Sequence, residues 1–300
     1  MRQALLTQIL ANSIVYASEI AIIAVGVALS YSILRFANFA HVQFAVVGGY
    51  LTYTFAVLAG LPVILATAIS MVLTGGLAVA IDRAVFRRLR TISPEGKMIV
   101  SWGVALFIRS IVAAIFGGAS RNFPTEAAPL ELAGAQVTSL DLIVVAATLI
   151  AMVVLRFLLY RTRIGTALRA LASNADLAET RGIPGERMIG LMWFVSGAYA
   201  ALGGTLFAIE TRLQPGMDLI ILLPTFAAVT IGGLDSVFGA VAGALVLSLA
   251  QNLLISVDFG TLFATDSWYV PTQFRDYIAV GALVVILLFR PRRAVGLATR

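Results

Sequence analysis

Nine long apolar stretches follow one another down the chain, at roughly 8–34, 42–59, 62–84, 98–117, 139–159, 188–209, 219–233, 237–257 and 277–290. Crossing about 30 Å of hydrocarbon takes about 20 apolar residues. A chain built almost wholly of such segments folds as a bundle of helices in a bilayer, because a helix satisfies its own backbone there. Composition agrees: 60% of the 300 residues are hydrophobic and 12% charged, against roughly 25% charged in a soluble domain. A soluble enzyme carrying a membrane tail is thereby excluded. With no cysteine and a single histidine, His41, so are a disulfide scaffold, a thiolate metal site, a cysteine nucleophile and a multi-histidine metal centre.

The net charge of +6 would suggest nucleic acid for a soluble protein. Here its use is orientation, and no nucleic-acid partner is expected. Basic residues gather in three connections: 86–97 (Arg87, Arg88, Arg90, Lys97), 160–187 (Arg161, Arg163, Arg169, Arg181, Arg187) and 290–300 (Arg290, Arg292, Arg293, Arg300). The connections 118–138, 210–218 and 258–276 carry Glu126, Glu131, Glu210, Asp218, Asp258, Asp266 and Asp276. The positive-inside rule makes the first set, and the C-terminus, cytoplasmic. The N-terminal stretch reads as a retained first span rather than a cleaved signal. The segment that opens Arg35-Phe36-Ala37-Asn38-Phe39-Ala40-His41-Val42-Gln43 is too polar for lipid exposure. It therefore suggests a re-entrant or broken element, and 219–233, with Pro224, is a second candidate. The expected architecture is all-α, one transmembrane domain over 1–300, with about eight spans plus one re-entrant or broken helix and both termini inside.

Three groups of residues are candidates for function. In 160–187, Ala167, Leu168, Leu171, Ala175 and Ala178 recur at helical spacing beside Arg163, Arg169 and Arg181. Ser173-x-x-Asp176 resembles a capping box, and Gly182 before Pro184 is a stop signal. Such a segment lies across the cytoplasmic face either as an amphipathic helix on lipid or as a protrusion docked in a partner. Asn38, His41 and Gln43 suit hydrogen bonding to a polar solute, or to backbone groups freed where the helix breaks. Glu19, Arg109, Asp235 and the pair Gln251-Asn252 sit in apolar surroundings, so each is expected to face the bundle interior or a cavity. An internal pair between Glu19 and Arg109 is one possibility. Gly239-x-x-x-Gly243 and the pairs Gly75-Gly76, Gly203-Gly204 and Gly232-Gly233 are read as helix-contact devices, and Trp102, Trp193 and Trp268 as interfacial anchors. Gly96-Lys97 runs into Met98 without the earlier glycine of a phosphate loop. If transport uses ATP, another chain hydrolyses it, and no cofactor is expected here.

At three of these places the chain resembles the permease subunits of branched-chain amino acid ABC transporters, the high-affinity leucine/isoleucine/valine import family. Leu34-Arg35-Phe36-Ala37-Asn38-Phe39-Ala40-His41 looks like that family's N-F-A-H-G-E-F element. Gly165-x-Ala167-x-Arg169-Ala170-x-Ala172-x-Asn174-x-x-x-Ala178-x-x-x-Gly182-Ile183 is similar to its cytoplasmic element, and 226–240, with Gly232-Gly233-Leu234-Asp235-Ser236, to its F-x-A-x-x-x-G-G-x-G-S-x-x-G-A. The closing Arg290-Pro291 agrees too. The family's Gly-Glu is Val42-Gln43 here, and its second glycine is Asp235.

The resemblance implies a multi-pass subunit of the bacterial inner membrane that is not an enzyme. Its implied partners are a second related permease, two cytoplasmic ATP-binding subunits and a periplasmic solute-binding protein. It assigns Arg169, Ala170, Asn174, Ala178 and Gly182 to coupling with the ATPase, and Asn38, His41, Gln43, Asp235 and Ser236 to the substrate pathway. Urea, amides or aromatic carboxylates are alternative cargo. An ion-coupled secondary transporter using Glu19, Arg109, Asp235 and His41 is the competing mechanism. An intramembrane hydrolase is disfavoured by the absence of a base-paired nucleophile.

Overall fold

The computed structural model describes residues 2–125, 127–259 and 268–289. In chain order the helices are α1 (Arg2–Leu34), α2 (Ala40–Tyr53), α3 (Val63–Ala84), α4 (Pro94–Phe116), α5 (Ser139–Arg161), α6 (Arg163–Ser173), α7 (Ala175–Thr180), α8 (Gly185–Glu210), α9 (Met217–Gly232), α10 (Val237–Ser256) and α11 (Arg275–Phe289). A short hairpin, β1 (Pro129–Leu132) and β2 (Ala135–Thr138), precedes α5 and pairs antiparallel, with Leu132 opposite Ala135.

Local chemistry sets the helix ends. Ser93 caps α4, with Pro94 in its first turn, and Gly117 ends it at φ 76°. Thr138 and Asp141 form a capping box on α5. A single π-helical turn, Thr54–Leu58, extends α2. Pro224 sits inside α9, where it deletes one backbone hydrogen bond and favours a kink.

Among the described residues seven helices are long and apolar enough to cross a membrane: α1, α2 with its π turn (Ala40–Leu58), α3, α4, α5, α8 and α10. α9, at 16 residues, is the shortened element, and α11 is described over 15 residues. The polar opening of α2 does not turn the segment back. Asn38, His41 and Gln43 are all buried by neighbouring helices, and the irregular backbone before α2 is thereby protected.

α1 and α8 are the enclosed centre of the bundle, with 83% and 78% of their most apolar windows buried, against 22% for α4. α8 packs on α3, α2 and α1, and α1 also packs on α10, α5 and α9. Small residues allow these approaches: a Cβ on Gly204 would overlap the backbone of Ala45 in α2, and Gly232 and Gly239 bring the α9 and α10 backbones into contact. Trp193 is not an interfacial anchor. It is fully buried and stacks on Phe86 at 5.2 Å, whereas Trp102 and Trp268 are exposed.

The ends of α1 fix its direction. Gln8 exchanges hydrogen bonds of 2.9 and 2.7 Å with Gln136 of the hairpin. At the other end Arg35 donates to the carbonyl of Ala172 in the arginine-rich connection. The N-terminal end of α1 therefore lies at the acidic end of the bundle, opposite the arginine-rich one. With the arginine-rich end placed inside by the positive-inside rule, the start of α1 falls on the other side, not inside as expected. Taken in turn, α1, α2, α3, α4, α5, α8, α9, α10 and α11 pass alternately between the two faces. Ion pairs join the end of α3 to the start of α8: Arg90 pairs with Asp82 of α3 at 2.9 Å and with Glu186 of α8 at 3.4 Å, and Arg87 with Glu186 at 3.1 Å. The closing Arg290-Pro291, the other basic residues of 290–300, Glu126 and Asp266 lie outside the described residues.

Candidate functional site

The break between α1 and α2 is built by two residues. Arg35 adopts φ 55°, an uncommon left-handed geometry without glycine, and ends α1. Asn38 then turns its side-chain oxygen back onto the N–H of Ala40, satisfying one orphan donor of the α2 start. His41 points into the packed interior. Its Nδ1 lies 3.1 Å from Ser196 Oγ on α8, and its ring fills the space left by Gly26 on α1. His41 thus ties α2 to α1 and α8, whereas the Asn38 bond is local to the break.

Gln43 is placed differently. Its Nε2 donates to Asp218 Oδ2 at 2.6 Å, and the same oxygen lies 3.7 Å from Arg109 Nη1. Three residues from α2, α4 and α9, remote in sequence, meet in one polar group. Gly216 lies beside the guanidinium, 3.3 Å from Arg109 Nη2 to where its Cβ would be. Toward the cytoplasmic end, Phe39 packs between Trp102 of α4 and Phe226 of α9, with ring centroids 5.7 and 4.9 Å away.

Glu19 does not pair with Arg109. It lines a separate cavity of about 350 Å³ with Asp141, Glu210, Asn252 and Arg275. Gln251 is buried and donates to the Arg275 carbonyl.

Asp235 and Ser236 are not brought together with Asn38, His41 and Gln43. Ser236 caps α10 through the N–H of Gly239. Asp235 is exposed and lies 3.8 Å from Arg35 Nη1 at the cytoplasmic end of the bundle. Its apolar sequence neighbours belong to the helices on either side of a surface turn, which is why it read as intramembrane.

The cytoplasmic connection folds as two short helices, as its pattern predicts. Thr162 caps α6 through the N–H of Gly165, and Gly165 lies against the Leu158 and Leu159 carbonyls of α5, where a Cβ would overlap. Leu168 and Leu171 are buried beneath. The cap of α7 is Asn174, one residue beyond the expected Ser173, and accepts from the N–H of Leu177. Gly182, at φ 85°, closes α7: its N–H reaches the Glu179 carbonyl and that of Ile183 the Ala178 carbonyl. Arg169 is exposed and stacks over Tyr160 at 4.7 Å, and Ala170 is half-buried. Ala178 is buried, so it packs the element instead of presenting a contact. Apolar side chains offered outward are Leu177 of α7, 56% exposed, and Ile164 of α6, 39% exposed.

Arg35 joins this element to the bundle. It reaches the Ala172 carbonyl of α6 at 2.8 Å and Asp235 between α9 and α10. A cavity of about 370 Å³ lies beneath the junction, lined by Ser32, Tyr160, Arg169, Ala172, Asp235 and Ser236. Sequence reasoning gave no role to Arg35, Asp218 or Ser196. The signal for Arg35 was its place at the head of the Asn38-His41 motif. Asp218 offered only a carboxylate at the start of a short apolar segment.

Comparison with known proteins places this arrangement. The chain is 26% identical over 304 residues to the high-affinity branched-chain amino acid transport system permease protein BraD of Pseudomonas aeruginosa, covering 96% of this chain and 95% of that protein. It is 28% identical to the probable branched-chain amino acid transport permease protein LivH of Methanocaldococcus jannaschii, covering 96% and 92%. The fold is also that of a chain of PsaBC from Streptococcus pneumoniae in complex with Fab, at TM-score 0.50 and 15% identity over 94% of this chain and 92% of that one. Residues 9–288 match the sequence model of one family, and the chain belongs to it: the permease component of the branched-chain amino acid transport system.

Proposed function

We propose that the chain is one membrane-spanning subunit of an ABC importer in the bacterial inner membrane. It carries branched-chain amino acids inward, with ATP bound and hydrolysed by partner subunits. A second permease completes the path, two cytoplasmic ATP-binding chains drive it, and a solute-binding protein delivers the cargo outside. The observation that carries this reading is the attachment of the α6–α7 element to two transmembrane turns at once through Arg35.

The coupling step follows from those contacts. Gly165 and Thr162 hold α6 rigidly on the end of α5, so a push on the exposed side of α6–α7 moves the element as a body. Arg35 carries that displacement to the turn before α2 and to the turn between α9 and α10. Its hydrogen bond and half-exposed ion pair are each worth on the order of 1 kcal/mol or less. They therefore break and re-form within a transport cycle. α2 and α9 are the helices that carry Gln43 and Asp218, so the same displacement reaches the polar group they share with Arg109.

A secondary transporter would need its ionisable groups in a connected relay. Glu19 lies in its own cavity, Arg109 pairs with Asp218, His41 contacts Ser196, and Asp235 is at the surface. That dispersal favours the importer.

Leu177→Glu places a charge on the outward side of α7 without touching the bundle. ATP-driven leucine uptake is expected to fall at least tenfold while the chain reaches normal membrane levels. Unchanged uptake would show that α7 is not the docking element.

A further inference from the structure

We propose that Arg109, Asp218 and Gln43 form the subsite that holds the charged ends of a zwitterionic amino acid inside the bundle, nearer the end opposite the arginine-rich connections, on the face between α4 and α9. This rests on the importer reading above and names the part of the path where cargo is recognised.

Arg109 lies inside the 23-residue α4, two turns from its Phe116 end, and its side chain is one-third exposed. A cation at that depth is costly against lipid tails, so the exposed part faces a polar path or another chain. The buried stripe of α4 is Ser101, Ala105, Ile108 and Val112. Arg109 lies at its edge on the side of Trp102, two turns away, which turns it toward α9.

The unfilled bonding capacity of the group has a definite chemistry. At 3.7 Å the ion pair is longer than a hydrogen bond, and among the described residues the guanidinium makes no other polar contact. Its planar fork of donors is therefore free to take both oxygens of a carboxylate. On the other side, Gln43 Oε1 is a buried acceptor without a hydrogen-bond partner, and Asp218 Oδ1 is a buried acceptor that no side chain reaches and that only the backbone N–H groups at the start of α9 approach. Buried acceptors left unpaired are unfavourable, and an ammonium group supplies donors to both. Donors for a carboxylate beside acceptors for an ammonium match an α-amino acid. A neutral amide or urea lacks the ionic groups, and a simple carboxylate leaves the acceptors unpaired.

The aliphatic side chain of the cargo has a surface too. On α9, Leu222 and Phe226 follow Asp218 at four-residue spacing and are half-exposed, beside the exposed Leu219 and Leu223. Phe226 and Trp102 then close around Phe39 on the cytoplasmic side, at the turn that Arg35 links to the coupling element.

The test is made on the complete complex in liposomes, with radiolabelled leucine as the probe and the loaded binding protein outside. Arg109→Gln and Asp218→Asn are each expected to lower ATP-driven uptake at least tenfold. The double variant decides the role. A purely structural ion pair is tolerated when both charges are removed together, so uptake restored in the double variant would overturn the proposal. The subsite requires that uptake stay at least tenfold down although the double variant co-purifies with its partners in the wild-type ratio. As an independent reading, this chain has no cysteine, so Leu222→Cys introduces a single thiol. A cationic methanethiosulfonate reagent is expected to modify it and to block uptake only in that variant. A thiol that does not react faces lipid, which would equally overturn the proposal. A wild-type complex without ATP-driven leucine uptake would instead overturn the importer reading, before any variant is compared.

Discussion

Single residues hold the parts of this bundle in register, and their replacement has separable effects. Asn38 turns its side chain onto the Ala40 N–H inside the protein. Asn38→Ala leaves that donor unpaired, at about 1–3 kcal/mol, so the melting temperature in detergent is expected to drop by a few degrees. An unchanged melting temperature would mean that another group replaces the bond. Arg35→Ala is expected to act the opposite way. Arg35 is exposed and contributes little stability, yet it links α6 to two turns. Uptake should fall several-fold with thermal stability nearly unchanged, and a variant that transports normally would remove Arg35 from the coupling route. Residue identity revealed only part of this. His41 and Asn38 stood out because they are polar in an apolar chain. The Asn38 bond to the Ala40 N–H is local, whereas the His41 partner, Ser196, became known only from how α2 and α8 pack.

At the scale of the element, helices announced themselves through their own periodicity, whereas contacts between them did not. The α6–α7 pair was legible because Leu168 and Leu171 fall on one side of an amphipathic pattern and Gly182 closes it. The cap slipped by one residue, to Asn174, because Ser173 and Asn174 are both good N-caps and only the observed φ, ψ distinguishes them. Asp218 looked like a loop carboxylate. Its burial against Gln43 and Arg109 depends on helices that are 175 residues apart for one of those pairs, a separation that no local pattern encodes. α9 gives the sharpest prediction at this scale. Pro224 lies between Asp218 and Phe226, so Pro224→Ala restores one backbone bond and straightens the helix. Straightening moves Phe226 relative to Phe39, and ATP-driven uptake is expected to fall several-fold while stability holds or rises. Wild-type uptake by this variant would show that the proline within α9 has no part in transport.

For the whole molecule, the hydropathy pattern predicted the bundle, and the described arginine-rich connections gather at one end of it, the end that the positive-inside rule would put in the cytoplasm. The side of the N-terminus was not legible, because a polar segment buried by neighbours and a polar segment that turns back look alike in sequence. The contact of Gln8 with the hairpin supplies the answer. In the cysteine-free chain, Leu5→Cys and Leu132→Cys are expected to react with an impermeant maleimide in intact cells. Ser173→Cys is expected to react only after the membrane is opened, and labelling of Ser173→Cys in sealed cells would invert the topology. The central claim is that this chain moves its cargo by energy delivered from partner chains through its cytoplasmic face. The most direct measurement is to purify the chain with its co-purifying subunits from native membranes in mild detergent, reconstitute them, and follow radiolabelled leucine against added ATP or an imposed ion gradient. The account predicts recovery of a phosphate-loop ATPase and a second permease, with uptake that requires ATP and the loaded binding protein and ignores ionophores. A chain that purifies alone, and transports on an ion gradient without ATP, would contradict it.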